Sequence, residues 1–265
     1  MHVSIRNGAL LGIAMALFTG GVAAAKPGVV VSIDLAQPFG TPMPWRFIAS
    51  QGPDMPDPVG VTDENAPGAI RLCLSNDYGR TCQPALQHML GVSSAQDDLY
   101  AEPHYLNSAE VVRTREGKPL LLVSAASLHS ANGDQRVALV ALAYDRTRNG
   151  FVPVYEKSTG RNNNQEIRFI AGGPLKGGII SAEPTSNAPF GFWITVNRFG
   201  PASAYRQVLR YRSATRYGDG NPLAVIDSEM PNIHQQLGLL KPGGKLPVPQ
   251  AKCLNPRLIR KELWC

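Results

Sequence analysis

The chain has 265 residues and a formal net charge of +6, with 26 basic and 20 acidic residues. This length allows one sizeable domain, or two small ones, with a real hydrophobic core. The positive excess lies in residues 241–265, which hold six basic residues and one acid, while residues 26–240 are neutral. The charge therefore does not indicate a nucleic-acid-binding body, and no nucleic-acid partner is predicted.

Residues 1–25 are typical of a secretory signal peptide. Arg6 supplies the positive start, an apolar run covers 9–18, and Ala23 and Ala25 have the spacing of a cleavage site. The apolar run is about half of the roughly 20 residues that span a bilayer, so no transmembrane segment is predicted. The sequence predicts export to the periplasm or beyond.

Short β-rich segments separated by glycine and asparagine turns dominate the rest of the chain. Asn132–Gly133 and Asn149–Gly150 are strong hairpin signals. The predicted strands are 29–33, 69–74, 120–123, 136–144, 151–155, 165–170, 179–182, 190–196 and 205–211. Residues 165–170 alternate, with Ile167 and Phe169 on one side and Glu166 and Arg168 on the other. The pattern predicts a mainly β protein, an antiparallel β-sandwich or propeller-like sheets with one or two short helices.

The predicted domain organisation is one β-rich domain over 26–240, followed by a linker and basic tail over 241–265. Within the domain, seven prolines between 37 and 68 predict an extended wrapping segment without a long helix or central strand, pinned by Trp45 and Phe47. Short helices are predicted over 84–90 and 228–240, and one or two helical turns over 257–263.

Four cysteines in an exported chain favour two disulfides. We predict the local pairing, Cys73 with Cys82 and Cys253 with Cys265, because turn residues separate the first pair. A local bond would close the tail into a knob on a flexible linker. Pairing of a tail cysteine with the first hairpin would instead clamp the tail onto the body.

No catalytic or cofactor-binding motif is present. The sequence lacks a G-x-S-x-G elbow, an H-E-x-x-H pair, a Walker loop and a dinucleotide fingerprint, so no cofactor or metal is predicted and the enzyme hypothesis is disfavoured. Of the histidines after residue 25, His104 and His129 lie beside polar loop residues, but single histidines at such spacings are more often structural.

Three groups of polar residues are candidate binding residues. The amide-rich loop Asn162, Asn163, Asn164 with Glu166 suits hydroxyl groups of sugars, since amides both donate and accept. Asp219 and Asn221 offer oxygen ligands in a turn. On a regular strand, Arg206, Arg210 and Arg212 share one face and suit phosphate or carboxylate groups. Plain turns and a solvated strand face are the structural alternatives.

Three functions remain open on these residues. The first is a non-enzymatic periplasmic binding or envelope-associated protein, whose partner is a small polar ligand or, through the basic tail, anionic envelope material. The second is a hydrolase of envelope glycan or phosphoester, with acids drawn from Glu166, Glu183, Asp219, Asp227 and Glu229. The third is a calcium-stabilised extracellular module. Substrate and oligomeric state are not encoded in any recognisable motif.

Overall fold

A computed structural model of the chain describes residues 28–58, 60, 64–91, 100–159, 165–186, 191–216, 218–240, 247, 253 and 255–265. The predicted signal peptide, the amides Asn162, Asn163 and Asn164, and almost all of the linker lie outside the described residues. No helix within the described ranges is both long and apolar enough to cross a membrane.

The N-terminal part forms a three-stranded antiparallel sheet in the order β1-β2-β5, beside a small β3-β4 ladder. Its elements are β1 (Gly28–Asp34), α1 (Ala36–Phe39), β2 (Arg46–Gln51), β3 (Met55–Pro56), β4 (Asn65–Ala66) and β5 (Ile70–Ser75). A 3₁₀ helix at Pro84–Leu86 follows, with proline in its first turn. This helix is shorter than the predicted 84–90.

The prediction that residues 37–68 hold no central strand is wrong, because β2 is the middle strand of the first sheet. Its six residues contain no proline, and Pro44 and Pro53 lie outside it, so every backbone N–H needed for pairing is present. Trp45 and Phe47 are buried, as predicted for the residues that pin this segment.

Two four-stranded antiparallel meanders make up the centre of the chain, in the orders β6-β7-β8-β9 and β10-β11-β12-β13. The first contains β6 (Tyr105–Arg113), β7 (Pro119–His129), β8 (Gln135–Asp145) and β9 (Gly150–Ser158). The second contains β10 (Glu166–Phe169), β11 (Ile179–Pro184), β12 (Phe192–Phe199) and β13 (Tyr205–Arg212), with a 3₁₀ helix at Gly173–Leu175. The mainly β, antiparallel fold class is confirmed, and both Asn-Gly pairs lie at strand-to-strand connections.

The β6–β9 sheet lies between the β1-β2-β5 sheet and the β10–β13 sheet, so both of its faces are buried. Leu121 and Val123 pack in one core with the β1-β2-β5 sheet, whereas Leu120 and Leu122 pack in another with Ile179 of β11. A strand buried on both faces is apolar at successive positions, which explains the continuous run at 120–123. The opposite face of the β10–β13 sheet packs against the second helix, described next.

That helix, α2, spans Val225–Gln236, and the chain ends in a hairpin of β14 (Arg257–Ile259) and β15 (Glu262–Trp264). The helix begins three residues before the predicted 228 and ends before 240, with Gly238 at φ +65° just beyond it. The prediction of helical turns over 257–263 is wrong. Residues 260 and 261 form a two-residue turn with positive φ at both positions, so the chain reverses into a strand pair.

Both disulfides have the predicted local pairing, Cys73 with Cys82 and Cys253 with Cys265. The second bond does not leave a free knob, because the hairpin packs on α2. Leu263 is fully buried, and its carbonyl accepts a hydrogen bond from Asn221 Nδ2 at 2.9 Å. The tail is thus docked onto the body without any disulfide to the body.

Candidate functional site

An ion-pair cluster joins β10 to the start of α2. Arg168 contacts the carboxylates of Glu166 and Asp227, the latter at 2.5 Å, and the Ile226 N–H donates to Glu166 Oε2 at 3.1 Å. Burial acts to lower the pKa of Arg168, but hydrogen bonds and the two acidic charges raise it overall. Alternation along β10 was predicted to separate Glu166 and Arg168 from Ile167 and Phe169. Ile167 and Phe169 pack in the core that lies on the other face of this sheet.

Asp219 and Asn221 form the loop that leads into α2. Asp219 accepts backbone N–H bonds from Arg216 and Asn221, at 3.3 and 2.9 Å. Asn221 Nδ2 donates to Ser228 Oγ at 2.9 Å as well as to the tail hairpin, and its Oδ1 accepts from the Leu223 N–H. Asn221 therefore holds the loop, the helix and the hairpin together, and Asp219 fixes the turn.

These two groups border one open cleft of about 410 Å³ at the start of α2, which we name the α2 cleft. Its polar lining residues are Gln165, Glu166, Thr215, Arg216, Asp219 and Asn221. Its remaining lining residues are Phe192, Gly218, Leu223, Ala224 and Val225. The structure thus brings Glu166, Asp219 and Asn221, which come from two separate candidate groups, into one cleft.

A buried carboxylate lies behind this cleft, in the middle of α2. Glu229 is fully buried and accepts hydrogen bonds from Tyr211 at 2.6 Å, Thr215 at 2.7 Å and Asn232 at 3.1 Å. Burial and the Glu229 charge raise the pKa of the Tyr211 phenol. Because Thr215 also lines the cleft, this network fixes the cleft wall from behind.

Glu262 of the hairpin is a second buried carboxyl in this region. It is 5% exposed, and its Oε1 has no hydrogen-bond partner among the described residues. Burial and the neighbouring Glu229 charge raise the pKa of Glu262, while Trp264 and Arg260 oppose this in part. Sequence reasoning missed Glu262, Tyr211 and Thr215, because no local motif links these residues of β13, the following loop and the tail.

The arginine row predicted on β13 is broken by a β-bulge. Val196 pairs with Leu209 and Asn197 with Gln207, so Val208 has no partner and the alternation of side chains shifts. Arg206 lies opposite Arg198, on the face that packs against α2. Arg210 and Arg212 lie opposite Thr195 and Trp193, on the other face.

The three arginines consequently have different surroundings. Arg210 lies over the Trp193 ring, with its guanidinium carbon 4.7 Å from the ring centroid. Such stacking holds a guanidinium in place on a partly exposed indole. Arg212 ends β13 beside Gly191 and Arg216. Arg212 thus lines a cavity together with Arg216, which also borders the α2 cleft.

The two candidate histidines, His104 and His129, have structural contacts. His104 is buried, and its Nδ1 lies 2.8 Å from the Pro67 carbonyl oxygen. The Nδ1 atom of His129 lies 3.1 Å from the Gly133 carbonyl oxygen. His129 also borders a surface cavity of about 300 Å³ that Asp57 lines. Within the described ranges, no three His, Cys, Asp or Glu residues are placed to hold a metal ion.

Comparisons with known proteins add no relative. No family model matches the chain, and neither a curated protein nor a solved structure is significantly similar to it. The function must therefore be argued from the site itself.

Proposed function

We propose that the protein is an exported, periplasmic binding protein that takes a small, hydroxyl-rich ligand such as an envelope glycan fragment into the α2 cleft. The cleft carries this proposal, because its volume of about 410 Å³ falls in the range of small-molecule sites. Its wall combines amide, hydroxyl, carboxylate and guanidinium groups, which together can donate to and accept from several hydroxyls.

The existing contacts of the two cleft carboxylates favour binding over hydrolysis. Glu166 is paired with Arg168 and accepts the Ile226 N–H, while Asp219 accepts two backbone N–H groups. Carboxylates held in this way serve as fixed acceptors with little reorganisation when a ligand arrives. Export is supported by the signal-like residues 1–25 and by the two disulfides.

The binding proposal is tested by filling the cleft. Ala224 is exposed and lines it, so Ala224→Tyr adds a ring inside the cleft without removing a buried side chain. Calorimetric titration with muropeptides prepared from peptidoglycan should show saturable binding by the natural protein, weakened at least about tenfold in Ala224→Tyr.

The matched control for this experiment is Ala202→Tyr, which adds the same ring at an exposed turn between β12 and β13. Its affinity and unfolding midpoint should equal those of the natural protein. Equal affinity of Ala224→Tyr and the natural protein, or no binding of any muropeptide, would overturn the proposal.

The second candidate is a hydrolase of envelope glycan or phosphoester. One observation favours it, because Glu166 and Asp219 come from separate segments and face the same open cleft. Release of p-nitrophenol from p-nitrophenyl glycosides and phosphates, lost in both Glu166→Gln and Asp219→Asn, would establish it. Release that persists in both variants, or none from the natural protein, removes it.

Envelope association through the basic tail is the remaining part of the proposal. Arg257 and Lys261 are exposed on the docked hairpin, so the tail offers positive charge to an anionic surface. Replacing Lys241, Lys245 and Lys252 by glutamine tests this while the hairpin stays intact. Binding to vesicles rich in phosphatidylglycerol should fall with the triple variant and fall further when Arg257 and Lys261 are also replaced by glutamine. Equal binding by all three proteins would leave the tail without this role.

A further inference from the structure

A second cavity adjoins the α2 cleft and shares Arg216 with it. This cavity has a volume of about 280 Å³ and is lined by Gly191, Arg212, Ser213, Ala214, Arg216 and Arg260. We name it the arginine cavity. Ser213 forms part of its floor and is held in place, because its Oγ accepts from the Phe192 N–H and donates to the Thr215 carbonyl, both at 3.2 Å.

Three arginines from three segments line this cavity. Arg212 ends β13, Arg216 lies in the loop before α2, and Arg260 lies in the turn of the tail hairpin. Among the residues that the structure describes, no acidic side chain lines the cavity. In the described part of the chain, none of the three guanidinium groups makes an ion pair or a side-chain hydrogen bond. Arg260 lies within electrostatic range of the buried Glu262, which offsets part of its charge.

Arg260 lies in a turn whose backbone conformation is unfavourable for its residue type. Arg260 and Lys261 have φ of +53° and +75°, in a two-residue turn where glycine and asparagine are the favoured residues. Left-handed backbone is unfavourable for a residue with a Cβ. Glycine at either position would relieve this backbone, so glycine variants of Arg260 and Lys261 remove a side chain without straining the turn.

We propose that the arginine cavity is a binding site for a phosphate group. Guanidinium groups form forked, charge-assisted hydrogen bonds to oxyanions, and a phosphomonoester offers three acceptor oxygens, one for each of the three arginines. A carboxylate offers only two oxygens. This site goes beyond the α2 cleft and does not depend on what the cleft binds.

The test uses inorganic phosphate and the chain from residue 26 to residue 265, titrated by calorimetry at constant ionic strength. The natural protein should bind one phosphate per chain. Arg260→Gly should weaken binding about tenfold or more, because it removes one of three charged donors. The same variant should unfold within a few degrees of the natural protein, since relief of the turn offsets the lost attraction between Arg260 and the Glu262 carboxylate.

Lys261→Gly is the matched control, because it removes the adjacent charge and relieves the same turn but does not line the cavity. Its phosphate affinity should stay within about twofold of the natural value. No saturable binding by the natural protein, or equal weakening by both variants, would overturn the site. Ala224→Tyr should leave phosphate binding unchanged, which separates a failure of this site from a failure of the cleft.

Two further ligands identify the source of the phosphate. Glycerol 3-phosphate represents a free phosphomonoester, and vesicles containing phosphatidic acid represent a lipid headgroup. Binding of either ligand supports the site if Arg260→Gly weakens it and Lys261→Gly does not. Binding to vesicles that both variants weaken equally points to general attraction by the tail and counts against the site.

Discussion

Replacing Glu262 with glutamine should stabilise the protein at neutral pH and leave it unchanged in acid. Glu262 is buried with Oε1 unpaired, and burial and the Glu229 charge raise the pKa of its carboxyl above the ordinary value of 4.5. The folded state therefore binds this proton more tightly than the unfolded state does. The contribution of Glu262 to stability is present below pH 4.5 and is lost as the pH rises through the folded-state pKa.

The size of the effect follows from the unpaired oxygen. A buried polar group without a partner costs about 1–3 kcal/mol, and we take the lower end because Trp264 and Arg260 compensate in part. A gain of about 1 kcal/mol raises the unfolding midpoint of a chain of this size by roughly 2–4 °C. Glutamine has nearly the same shape as glutamate, so packing is preserved.

The assay is thermal unfolding followed by circular dichroism between pH 4 and pH 8. Glu262→Gln should match the natural protein at pH 4 and exceed it increasingly towards pH 8. Glu156→Gln, at an exposed site on β9, serves as the control and should show no such trend. A Glu262→Gln protein that is less stable at pH 7, or a difference that does not change with pH, would refute the reasoning.

Further predictions concern the buried network, the disulfide and calcium. Tyr211→Phe should lower the free energy of unfolding by about 1.5–3 kcal/mol in urea titrations, since the buried Glu229 carboxylate loses a donor at 2.6 Å; an unchanged midpoint would mean that the bond contributes nothing. Replacing Cys73 and Cys82 together by serine should cost about 2–3 kcal/mol, because the bond closes a loop with a sequence separation of 9, and peptide mapping without reductant should recover the two cysteines linked. If calcium stabilised the fold, a chelator would lower the melting temperature; we expect equal melting curves, because both Asp219 carboxylate oxygens already accept backbone bonds.

Local signals in the sequence were sufficient for most of the strands. Asn149 and Gly133 adopt positive φ at the predicted turns, a conformation that these residue types tolerate. The alternation of residues 166–169 gave the two faces of β10. These predictions succeeded because the alternation of side chains along a strand and the residue preferences of a turn depend only on neighbours along the chain.

The errors arose where pairing between distant segments decided the structure. The bulge at Val208 depends on the register of β13 against β12, and no residue type in the β13 sequence indicates it. The tail hairpin turns at Arg260 and Lys261, which lack the glycine or asparagine that signals such a turn. The many prolines in residues 37–68 led to the prediction that this segment holds no central strand. The six residues of β2 contain no proline and favour pairing.

The candidate site was predicted only in pieces. Glu166, Asp219 and Asn221 were identified as polar loop or strand residues, but their convergence on one cleft depends on α2 packing against the β10–β13 sheet. Arg216 and Arg260 became candidates only when the docked hairpin brought the second beside the first. Sequence spacing contains no information on such contacts between segments.

An NMR titration of isotope-labelled protein with muropeptides tests most directly whether the α2 cleft binds a ligand. The amide signals of Gly218, Asn221 and Ala224 should shift and saturate together, while those of β1 and β2 on the far sheet stay in place. Saturating shifts confined to another surface, such as the cavity beside His129, would contradict the assignment of the cleft.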